Sequence, residues 1–564
     1  MDLSILRHSS AHILAQAVKR LYPEAKLGIG PATSEGFYYD FDYSKRFSSQ
    51  DLERIEQEMR RIVEEDLVFS HEQMSKEKAI QIFKELKEDY KLELIKEIED
   101  KEVSVYRQGE FVDLCRGPHL SSTGKVRFFK LLKVSGAYWR GNAKNRMLQR
   151  IYGTAFDTEE GLSTYLRNLQ EAKKRDHRKL GKDLGLFSFH PEAPATPFYH
   201  SKGLILYENL INFWREEHRK EGYLEIKTPL ILQEDLWKRS GHYEHYKEHI
   251  YFTQLGNKRY VVRPMNCPGA LLLYKERQHS YRELPLRFAE LGLVHRQELS
   301  GVTQGLFRAK AFTIDDAHIF CLPEQLKEEI VKVVNLILRM YKKIGFTDYS
   351  IHLSTRPENF IGSEEMWERA TTSLSEALKE IGIEYKVKQG EGAFYGPKID
   401  FHIKDCLERN WQCGTIQVDF SMPERFRIEC VGKDGGKHPV VMLHRAVFGS
   451  IERFLGILIE HYAGDFPFWL APVQVKVLTI AQEHIPYAQE VVRRLEEASL
   501  RIETDFRDER IEYKVRAGEL EKVPYLLIIG DREMKEGSVA VRERRKGDKG
   551  RRKLEDFVSE VRNY

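Results

Sequence analysis

One stretch of the chain, residues 288–320, constrains the fold most strongly. It reads FAELGLVHRQELSGVTQGLFRAKAFTIDDAHIF, in which two apolar segments of strand character flank a glycine-containing loop. The loop and its borders carry four charged residues: Arg296, Glu298, Arg308 and Lys310. Further on, VMLHRAVFGSIERF (441–454) is typical of a strand that runs into a helix bearing Arg453. The middle of the chain is therefore predicted to be a mixed sheet-and-helix domain with exposed cations.

Two of these cations suggest a phosphate-binding function. Arginine binds phosphate through two parallel hydrogen bonds, so strand-borne Arg296 and helix-borne Arg453 could hold two ends of one polyphosphate. For either arginine alone, an ordinary salt bridge is the competing explanation. The sequence has no Walker-type loop and no GxGxxG fingerprint, so a nucleotide would have to be bound by such arginines.

Three further segments of the middle region carry polar groups at strand ends. EIKTPLILQEDLWKRSGH (225–242) is predicted to run from a strand through Pro229 into a helix. QGEGAFYGPKIDF (389–401) and QCGTIQVDF (412–420) are strand-like. Both of these strand-like segments carry many polar groups.

The amino-terminal region contains paired histidines. Residues 3–22 are predicted to form a helix whose apolar stripe consists of Leu6, Ile13, Leu14, Ala17, Val18 and Leu21. His8 and His12 fall on the opposite face, and Cys115 and His119 repeat their spacing in CRGPH. Such a set could be a zinc site or a hydrolytic pocket without metal, and the spacing alone leaves both open.

Size and composition limit the class of protein. A chain of 564 residues is too long for one core and predicts two to four domains. No apolar run approaches the roughly 18 residues of a membrane helix, and the start does not resemble a secretory signal. Six scattered cysteines favour reduced thiols and a cytoplasmic protein. The net charge of +3 requires any anionic partner to be bound by local patches.

The pattern along the chain predicts four parts. Residues 1–158 form an α+β domain, residues 159–182 a basic linker helix, residues 183–466 the mixed domain, and residues 467–564 a small α/β domain. The linker helix could contact phosphates or simply be solvated. The last part alternates strands with helices near 485–498 and 510–520, which predicts a mostly parallel sheet covered by helices.

The motifs of the middle region resemble the three signature motifs of class II aminoacyl-tRNA synthetases. These are the strand and helix around Pro229, Arg296 with its loop, and the segment from Gly449 to Arg453. The resemblance to the threonyl-tRNA synthetase family runs from residue 7 to the end of the chain. It rests on four longer segments: RPMNCPGA, GEGAFYGPKIDF, QCGTIQVDF and HRAVFGSIERF. The resemblance implies an antiparallel catalytic sheet flanked by helices, which dimerises through the first motif, and no membrane partner.

For the amino-acid site, the resemblance implies one zinc ion per subunit, bound by Cys267, His318 and His444. Without the resemblance, Cys267 beside Pro268 would be interpreted as a buried thiol. Threonine would bind this zinc through its amino and hydroxyl groups, with Asp316 accepting from the hydroxyl. The other implied substrate-binding residues are Tyr395, Gln417, Met265, Gln412 and Thr415.

For the nucleotide site, the resemblance implies that Arg296 binds the α-phosphate of ATP and Arg453 the γ-phosphate. Glu298 and Phe312 would place adenine, and Arg308 would contact the triphosphate. Mg²⁺ would accompany ATP. The implied reaction joins L-threonine to the 3′ end of tRNA(Thr) through threonyl-adenylate.

The resemblance also implies an editing function for the amino-terminal domain. A zinc ion that requires a hydroxyl ligand rejects valine. Serine keeps the hydroxyl and lacks only one methyl group of threonine, which changes the binding free energy by roughly 1–3 kcal/mol. A second site must therefore hydrolyse seryl-tRNA. The implied residues are His8, His12, Cys115, His119, Asp113 and Lys91. A water-based pocket is favoured here, with a metal site as the alternative.

The carboxy-terminal part resembles the anticodon-binding module of the family. Glu533 and Arg542 match positions that contact anticodon bases. Three residues of this part depart from the usual pattern: Asp508, Glu512 and Ala517. In the middle region, Ile314 replaces a Gln that some relatives have. Because Asp only accepts hydrogen bonds, whereas the usual Asn also donates, base reading at Asp508 is in doubt. The small domain that precedes the editing domain in many relatives is expected to be missing, either from the gene or by trimming.

Two other functions compete with this interpretation. The chain could be a stand-alone hydrolase with the remainder as scaffold, or a synthetase paralogue that only binds RNA or regulates. The presence of Arg296 and Arg453 together with the three implied zinc ligands argues against both.

Overall fold

The structure, a computed structural model, describes residues 2–142, 144–298 and 301–562. The chain divides into two compact units, Met1–Glu171 and Ala172–Tyr564. Leu299 and Ser300, which belong to the glycine-containing loop, lie outside the described residues. Within the described ranges, no helix is both long enough and apolar enough to cross a lipid bilayer.

The first unit is an α+β domain, as predicted, built on two antiparallel sheets. The strands of the larger sheet, in spatial order, are Lys26–Leu27, Phe37–Asp42, Met147–Phe156 and Phe128–Tyr138. Those of the smaller sheet are Phe69–Ser75, Glu102–Gln108 and Phe111–Leu114. The helices are Leu3–Leu21, Ser49–Glu64, Lys76–Glu85, Asp89–Glu97 and Glu159–Arg175, the last of which ends in the second unit.

The first helix, Leu3–Leu21, is buried on nearly every side. Asp2 caps its start by accepting a hydrogen bond from the Ser4 N–H at 2.8 Å. The predicted apolar stripe is buried, but Ala11 and Ala15 on the opposite face are also inaccessible. The face opposite the stripe, which carries His12, is therefore covered as well, because Phe111 and His119 pack against the His12 ring.

The second unit contains an eight-stranded sheet that is antiparallel except at its two outer pairs. In spatial order the strands are Leu224–Glu225, Leu286–His295, Ala311–Cys321, Val441–Ser450, Asn410–Asp419, Lys398–Lys404, Tyr349–Ser354 and Lys386–Lys388. The predicted strand–loop–strand of residues 288–320 and the predicted antiparallel sheet are thus confirmed. The main core lies between this sheet and helices such as Leu326–Ile344 and Ile451–Tyr462.

Smaller elements surround this sheet. Three small sheets consist of Ile231–Gln233, Lys258–Val262 and Tyr251–Leu255; of His279–Ser280, Glu429–Val431 and Lys437–Pro439; and of Phe187–Phe189 and Pro197–Tyr199. The further helices are His177–Asp183, Ser201–Lys220, Glu234–Arg239, His242–Tyr246, Cys267–Lys275, Glu364–Ile381 and Ser421–Phe426.

The predicted single linker helix is two helices, Glu159–Arg175 and His177–Asp183. Between them, Asp176 leaves the helical conformation and its side chain accepts a hydrogen bond from the Arg178 N–H at 2.8 Å. An aspartate in this role starts a new helix, because it satisfies a backbone donor that would otherwise lack a partner.

The carboxy-terminal sheet has its strands in the order Ile502–Asp505, Val475–Thr479, Tyr525–Ile529, Ser538–Glu543 and Gly547–Lys553. Its helices are Ile485–Glu497, Ile511–Leu520, Asp531–Glu536 and Leu554–Val561. The first three strands pair in parallel, and the last strand runs in the same direction as they do, but Ser538–Glu543 runs the opposite way. The last two of the four strand pairs are therefore antiparallel, and the prediction of a mostly parallel sheet is wrong for these pairs. The short turn between these last two strands permits only an antiparallel pair.

Candidate functional site

Three neighbouring strands of the eight-stranded sheet bring predicted site residues into one row. His318 lies opposite His444, and His444 lies opposite Gln417. Asp316 and Thr415, each two residues away, both lie opposite Ala446 in the next row. Since side chains two apart on a strand share a face, these polar groups face the same side of the sheet.

Cys267 completes a cluster above this row. It begins the helix Cys267–Lys275, with Pro268 following at a position where the missing N–H costs nothing. One ligand atom from each of Cys267, His318 and His444 lies within 4.8 Å of the other two, and all three residues are buried. The structure thus assembles the implied zinc ligands, which are 177 residues apart in sequence from first to last.

The surroundings of this cluster fit a metal ion. His318 is fully buried, yet neither ring nitrogen has a hydrogen-bond partner among the described residues. His444 Nε2 lies 2.9 Å from Asp419 Oδ2, the kind of carboxylate contact that orients a metal-binding histidine. Burial raises the pKa of the Cys267 thiol well above its ordinary value, so its thiolate requires a cation nearby. Three Cys and His ligands with room for a fourth suit zinc.

Further predicted residues lie around the cluster. Asp316 Oδ2 accepts a hydrogen bond from Asn266 Nδ2 at 3.4 Å, and burial raises the pKa of Asp316 to about 6. The Tyr395 ring centroid is 5.5 Å from that of His444. Gln417 Nε2 donates to the Gly396 carbonyl at 3.2 Å. These three polar groups thus lie around the cluster of Cys267, His318 and His444.

The remaining three predicted substrate-binding residues have other contacts. Gln412 Nε2 and Thr415 Oγ1 both donate to Asp400 Oδ1, at 2.7 and 2.9 Å. Met265 is half-buried and packs in the apolar cluster that contains Cys267. Gln412 and Thr415 therefore share one carboxylate acceptor, Asp400.

A cavity of about 450 Å³ lies farther along the sheet. It is lined by Arg296, Glu298, Gln304, Phe307, Arg308, Ala309, Phe312, Ile314, Trp411, Gly449, Ser450 and Arg453. All five residues predicted for ATP are in this set. The Arg296 guanidinium lies 5.2 Å from the centroid of the Phe312 ring, and Arg308 forms an ion pair with Glu298 at 2.8 Å. The cavity offers three arginines and an aromatic face.

Two buried carboxylates hold the corner between the strand Val441–Ser450 and the helix that carries Arg453. Asp315 accepts hydrogen bonds from three consecutive N–H groups, those of Val447, Phe448 and Gly449, at 2.8 to 2.9 Å. Glu452 accepts from the Thr313 N–H at 2.8 Å. Burial raises the pKa of each carboxyl to about 7.

Sequence reasoning missed Asp315, Asp419, Glu452 and Trp411 as site residues. Each lies inside or beside a segment already singled out, so proximity to those motifs was the available signal. Their roles depend on contacts between strands that the spacing does not reveal.

The first unit assembles the second predicted site. Cys115 Sγ is 3.3 Å from His8 Nε2 and 3.2 Å from His119 Nε2. The His12 and His119 ring centroids are 4.1 Å apart. Burial lowers the pKa of all three histidines and raises that of Cys115 to about 11. Near neutral pH these four side chains are therefore uncharged, and one ligand atom from each lies within 4.8 Å of the others.

A buried ion pair supports this site. Lys91 Nζ lies 2.5 Å from Asp113 Oδ1, and each side chain is 2% exposed. Asp113 Oδ2 accepts a hydrogen bond from the Tyr39 hydroxyl at 2.6 Å and lies 3.7 Å from His12 Nε2. The structure thus brings Lys91 and Asp113 together with the histidines, and adds Tyr39, which the sequence did not indicate.

The two residues predicted to contact the anticodon have internal partners. Glu533 is 8% exposed and accepts a hydrogen bond from the Gly530 N–H at 3.0 Å at the start of its own helix. Arg542 Nε donates to Glu519 Oε1 at 2.9 Å and remains partly exposed. Base contacts of these residues stay predictions.

The antiparallel sheet, its arginine-lined cavity and the strand-to-helix corner define a class II aminoacyl-tRNA synthetase. Three domain families match the chain: "tRNA synthetase class II core domain (G, H, P, S and T)" over residues 251–462, "Anticodon binding domain" over 474–564, and "Threonyl and Alanyl tRNA synthetase second additional domain" over 103–152.

Individual relatives narrow this class. The chain is 59% identical to a threonine–tRNA ligase of Carboxydothermus hydrogenoformans and 58% identical to that of Syntrophomonas wolfei, each over 99% of this chain and 88% of the relative. A solved structure titled as the RNA binding domain of threonyl-tRNA synthetase from Cryptosporidium parvum superposes with a TM-score of 0.67 at 39% identity. It covers 69% of this chain and 98% of its own. The chain belongs to the threonine–tRNA ligase family.

Proposed function

We propose that this chain activates L-threonine with ATP, transfers it to the 3′ end of tRNA(Thr), and hydrolyses mischarged seryl-tRNA(Thr) at a separate site in its first unit. The observation that carries the proposal is the Cys267, His318 and His444 cluster beside the arginine-lined cavity. One wall suits an amino acid and the adjoining cavity suits a nucleotide. The family relationship supports both assignments.

The cavity residues would promote adenylate formation by electrostatics. The threonine carboxylate attacks the α-phosphorus of ATP as pyrophosphate leaves. Arg296 would bind the α-phosphate, Arg308 the triphosphate and Arg453 the γ-phosphate, each stabilising charge as it shifts toward the leaving group. Glu298 and Phe312 would hold adenine, Phe312 by stacking. Mg²⁺ enters with ATP, because triphosphate oxygens are its preferred ligands.

Cys267, His318 and His444 would hold one zinc ion per subunit. When bound, zinc would offer open coordination positions to the amino and hydroxyl groups of threonine, and valine has no hydroxyl group to bind there. Asp316 would accept from the threonine hydroxyl, and Tyr395 and Gln417 would orient the substrate. Met265, Gln412 and Thr415 would complete the pocket. The orphaned nitrogens of His318 support this assignment.

In the first unit, His8, His12, Cys115 and His119 would position a hydrolytic water at seryl-tRNA. Neutral histidines can accept a proton from such a water, and Asp113 with Lys91 would fix the orientation of His12. A metal ion on the same four side chains is the alternative.

The remaining assignments concern partners and boundaries. We propose that residues 1–158 edit, 159–182 link, 183–466 catalyse and 467–564 bind the anticodon through Glu533 and Arg542. We further propose a homodimer formed by the catalytic domain. A cytoplasmic site of action fits the substrates and the six free thiols.

Threonine-dependent ATP–pyrophosphate exchange, combined with metal analysis, tests the proposal. We expect exchange with threonine but not valine, and one zinc per chain. No exchange in a zinc-replete preparation would refute the synthetase function, and two zinc ions per chain would favour a metal in the first unit.

A further inference from the structure

One fully buried side chain outside the three signature motifs joins two walls of the nucleotide cavity. His177 begins the short helix His177–Asp183 and is 1% exposed. Its Nδ1 lies 2.7 Å from Glu460 Oε1, and its Nε2 accepts a hydrogen bond from the Leu306 N–H at 3.0 Å. Glu460 belongs to the helix of Arg453, and Leu306 belongs to a turn of the cavity wall.

These two bonds define the tautomer of the ring. A nitrogen that faces a carboxylate oxygen carries a proton, and a nitrogen that accepts from a backbone N–H does not. His177 is therefore a neutral imidazole with its proton on Nδ1. Both partners are buried, so neither bond can be replaced by water without cost.

The turn held by Nε2 carries cavity residues. Gly305–Phe307 form a single helical turn, and Gln304 and Arg308 on either side of it line the cavity. The Phe307 ring lies 4.2 Å from the His177 ring and 4.5 Å from that of Trp411. The Arg453 guanidinium in turn lies 5.7 Å from the Trp411 ring. The imidazole thus lies behind a continuous wall of the nucleotide cavity.

Glycine at position 305 permits this close approach. Gly305 has φ +51°, and a Cβ atom there would lie 2.3 Å from His177 Nε2. On the other side, Glu460 Oε2 forms an ion pair with Arg409 at 2.7 Å, which fixes the carboxylate. The turn, the imidazole and the carboxylate therefore form a rigid connection.

We propose that His177 is a positioning residue for ATP, which sets the spacing between the turn preceding Arg308 and the helix bearing Arg453. The inference rests on the function proposed above, in which Arg308 and Arg453 bind the phosphates of ATP. His177 itself does not line the cavity, and its ring hydrogen bonds go to Glu460 and Leu306 rather than to residues of the proposed threonine pocket. Loss of the His177 imidazole should therefore raise the KM for ATP and leave the KM for threonine nearly unchanged.

Two substitutions separate the two bonds of the ring. The amide of Asn reaches the position of Nδ1, and the amide of Gln reaches that of Nε2. In ATP–pyrophosphate exchange, we expect His177→Asn to raise the KM for ATP about tenfold, since the Leu306 N–H loses its acceptor. His177→Gln keeps that acceptor and should stay within about threefold of the wild type. The KM for threonine should stay nearly constant in both.

A further variant and a control show whether a changed KM for ATP reflects the position of the turn or a loss of folding. Gly305→Ala pushes the turn away from the ring and should reproduce the ATP effect of His177→Asn. His438→Gln, an exposed histidine of the same unit, should behave as wild type. Thermal unfolding of each variant is measured alongside, and a KM change that only follows the melting temperature would overturn the inference.

The outcomes distinguish the inference from the proposed function. If the wild type exchanges, either of two results would overturn the role of His177 alone. One is an equal effect of His177→Asn and His177→Gln on the KM for ATP. The other is a rise in the KM for threonine as large as that for ATP. No exchange by the wild type would refute the synthetase function and the inference with it.

Discussion

Two buried carboxyl groups beside the candidate sites differ in whether a cation accompanies them. Lys91 and Asp113 are almost completely removed from water, and their ion pair lies beside His12 of the proposed editing site. Glu452 has hydrogen-bond donors but no cation within salt-bridge distance among the described residues, so it retains its proton to higher pH. The pair predicts a large effect of removing the cation, and the unpaired Glu452 carboxyl predicts a dependence of stability on pH.

Lys91→Met should lower the free energy of unfolding of the first unit by about 3–5 kcal/mol, because it leaves the Asp113 carboxylate buried without its cation. Urea denaturation measures the loss. The double variant Lys91→Met with Asp113→Asn should recover part of it, since no uncompensated charge remains. A double variant as unstable as the single one would contradict this explanation.

Glu452 should make stability depend on pH. Burial raises its pKa from the ordinary 4.5 to about 7, so between these values the folded chain keeps a proton that the unfolded chain has lost. Its contribution to stability is complete below pH 4.5 and falls as pH rises through about 7, by up to about 3 kcal/mol. Melting temperatures of Glu452→Gln should therefore depend less on pH across this window, whereas exposed Glu276→Gln should keep the wild-type slope.

At the scale of elements, the corner from strand Val441–Ser450 to helix Ile451–Tyr462 decides where Arg453 points. Gly449 has φ +75°, a conformation that favours glycine, and Asp315 binds the three N–H groups before the corner. The register between the two strands shifts at Asp315, so the ladder alone does not satisfy these donors.

Asp315→Asn should lower the kcat/KM for ATP by about tenfold or more, because an amide cannot accept all three bonds and the helix of Arg453 loses its fixed start. Pyrophosphate exchange at varied ATP measures the effect. Asp434→Asn, on an exposed turn of the same unit, serves as the control. An unchanged kcat/KM would show that the strand pairing alone fixes the corner.

At the scale of the whole molecule, the two proposed chemistries belong to different compact units. The proposed zinc ligands and the arginine-lined cavity lie in the second unit, and the histidine–cysteine site lies in the first. Each unit has its own apolar core. The two activities should therefore be separable by single substitutions.

His8→Ala should abolish hydrolysis of seryl-tRNA while threonine-dependent pyrophosphate exchange continues at the wild-type rate. Cys267→Ser should do the reverse, with loss of exchange and of bound zinc. Deacylation of pre-charged seryl-tRNA measures editing independently of activation. If His8→Ala deacylates at the wild-type rate, the assignment of the pocket is wrong.

Much of the fold was predictable from local pattern. Apolar periodicity predicted the first helix and the strands flanking residue 296, and the resemblance of the motifs identified the family. The local pattern did not predict the helix break at Asp176 or the last two antiparallel strand pairs. A helix cap depends on a single side chain, and the direction of pairing depends on the connection between two strands. The burial of His12 was not predicted either, because periodicity identifies the apolar face of a helix and cannot show what packs against the opposite face.

The sequence by itself determined the class, the family and the residue types of both sites. Only the tertiary structure brought Cys267 to His318 and His444, and placed His177 between Glu460 and Leu306. The physical reason is that these contacts join residues more than a hundred positions apart in most cases. Strand register and helix packing bring them together, and neither is encoded in the spacing of any one segment.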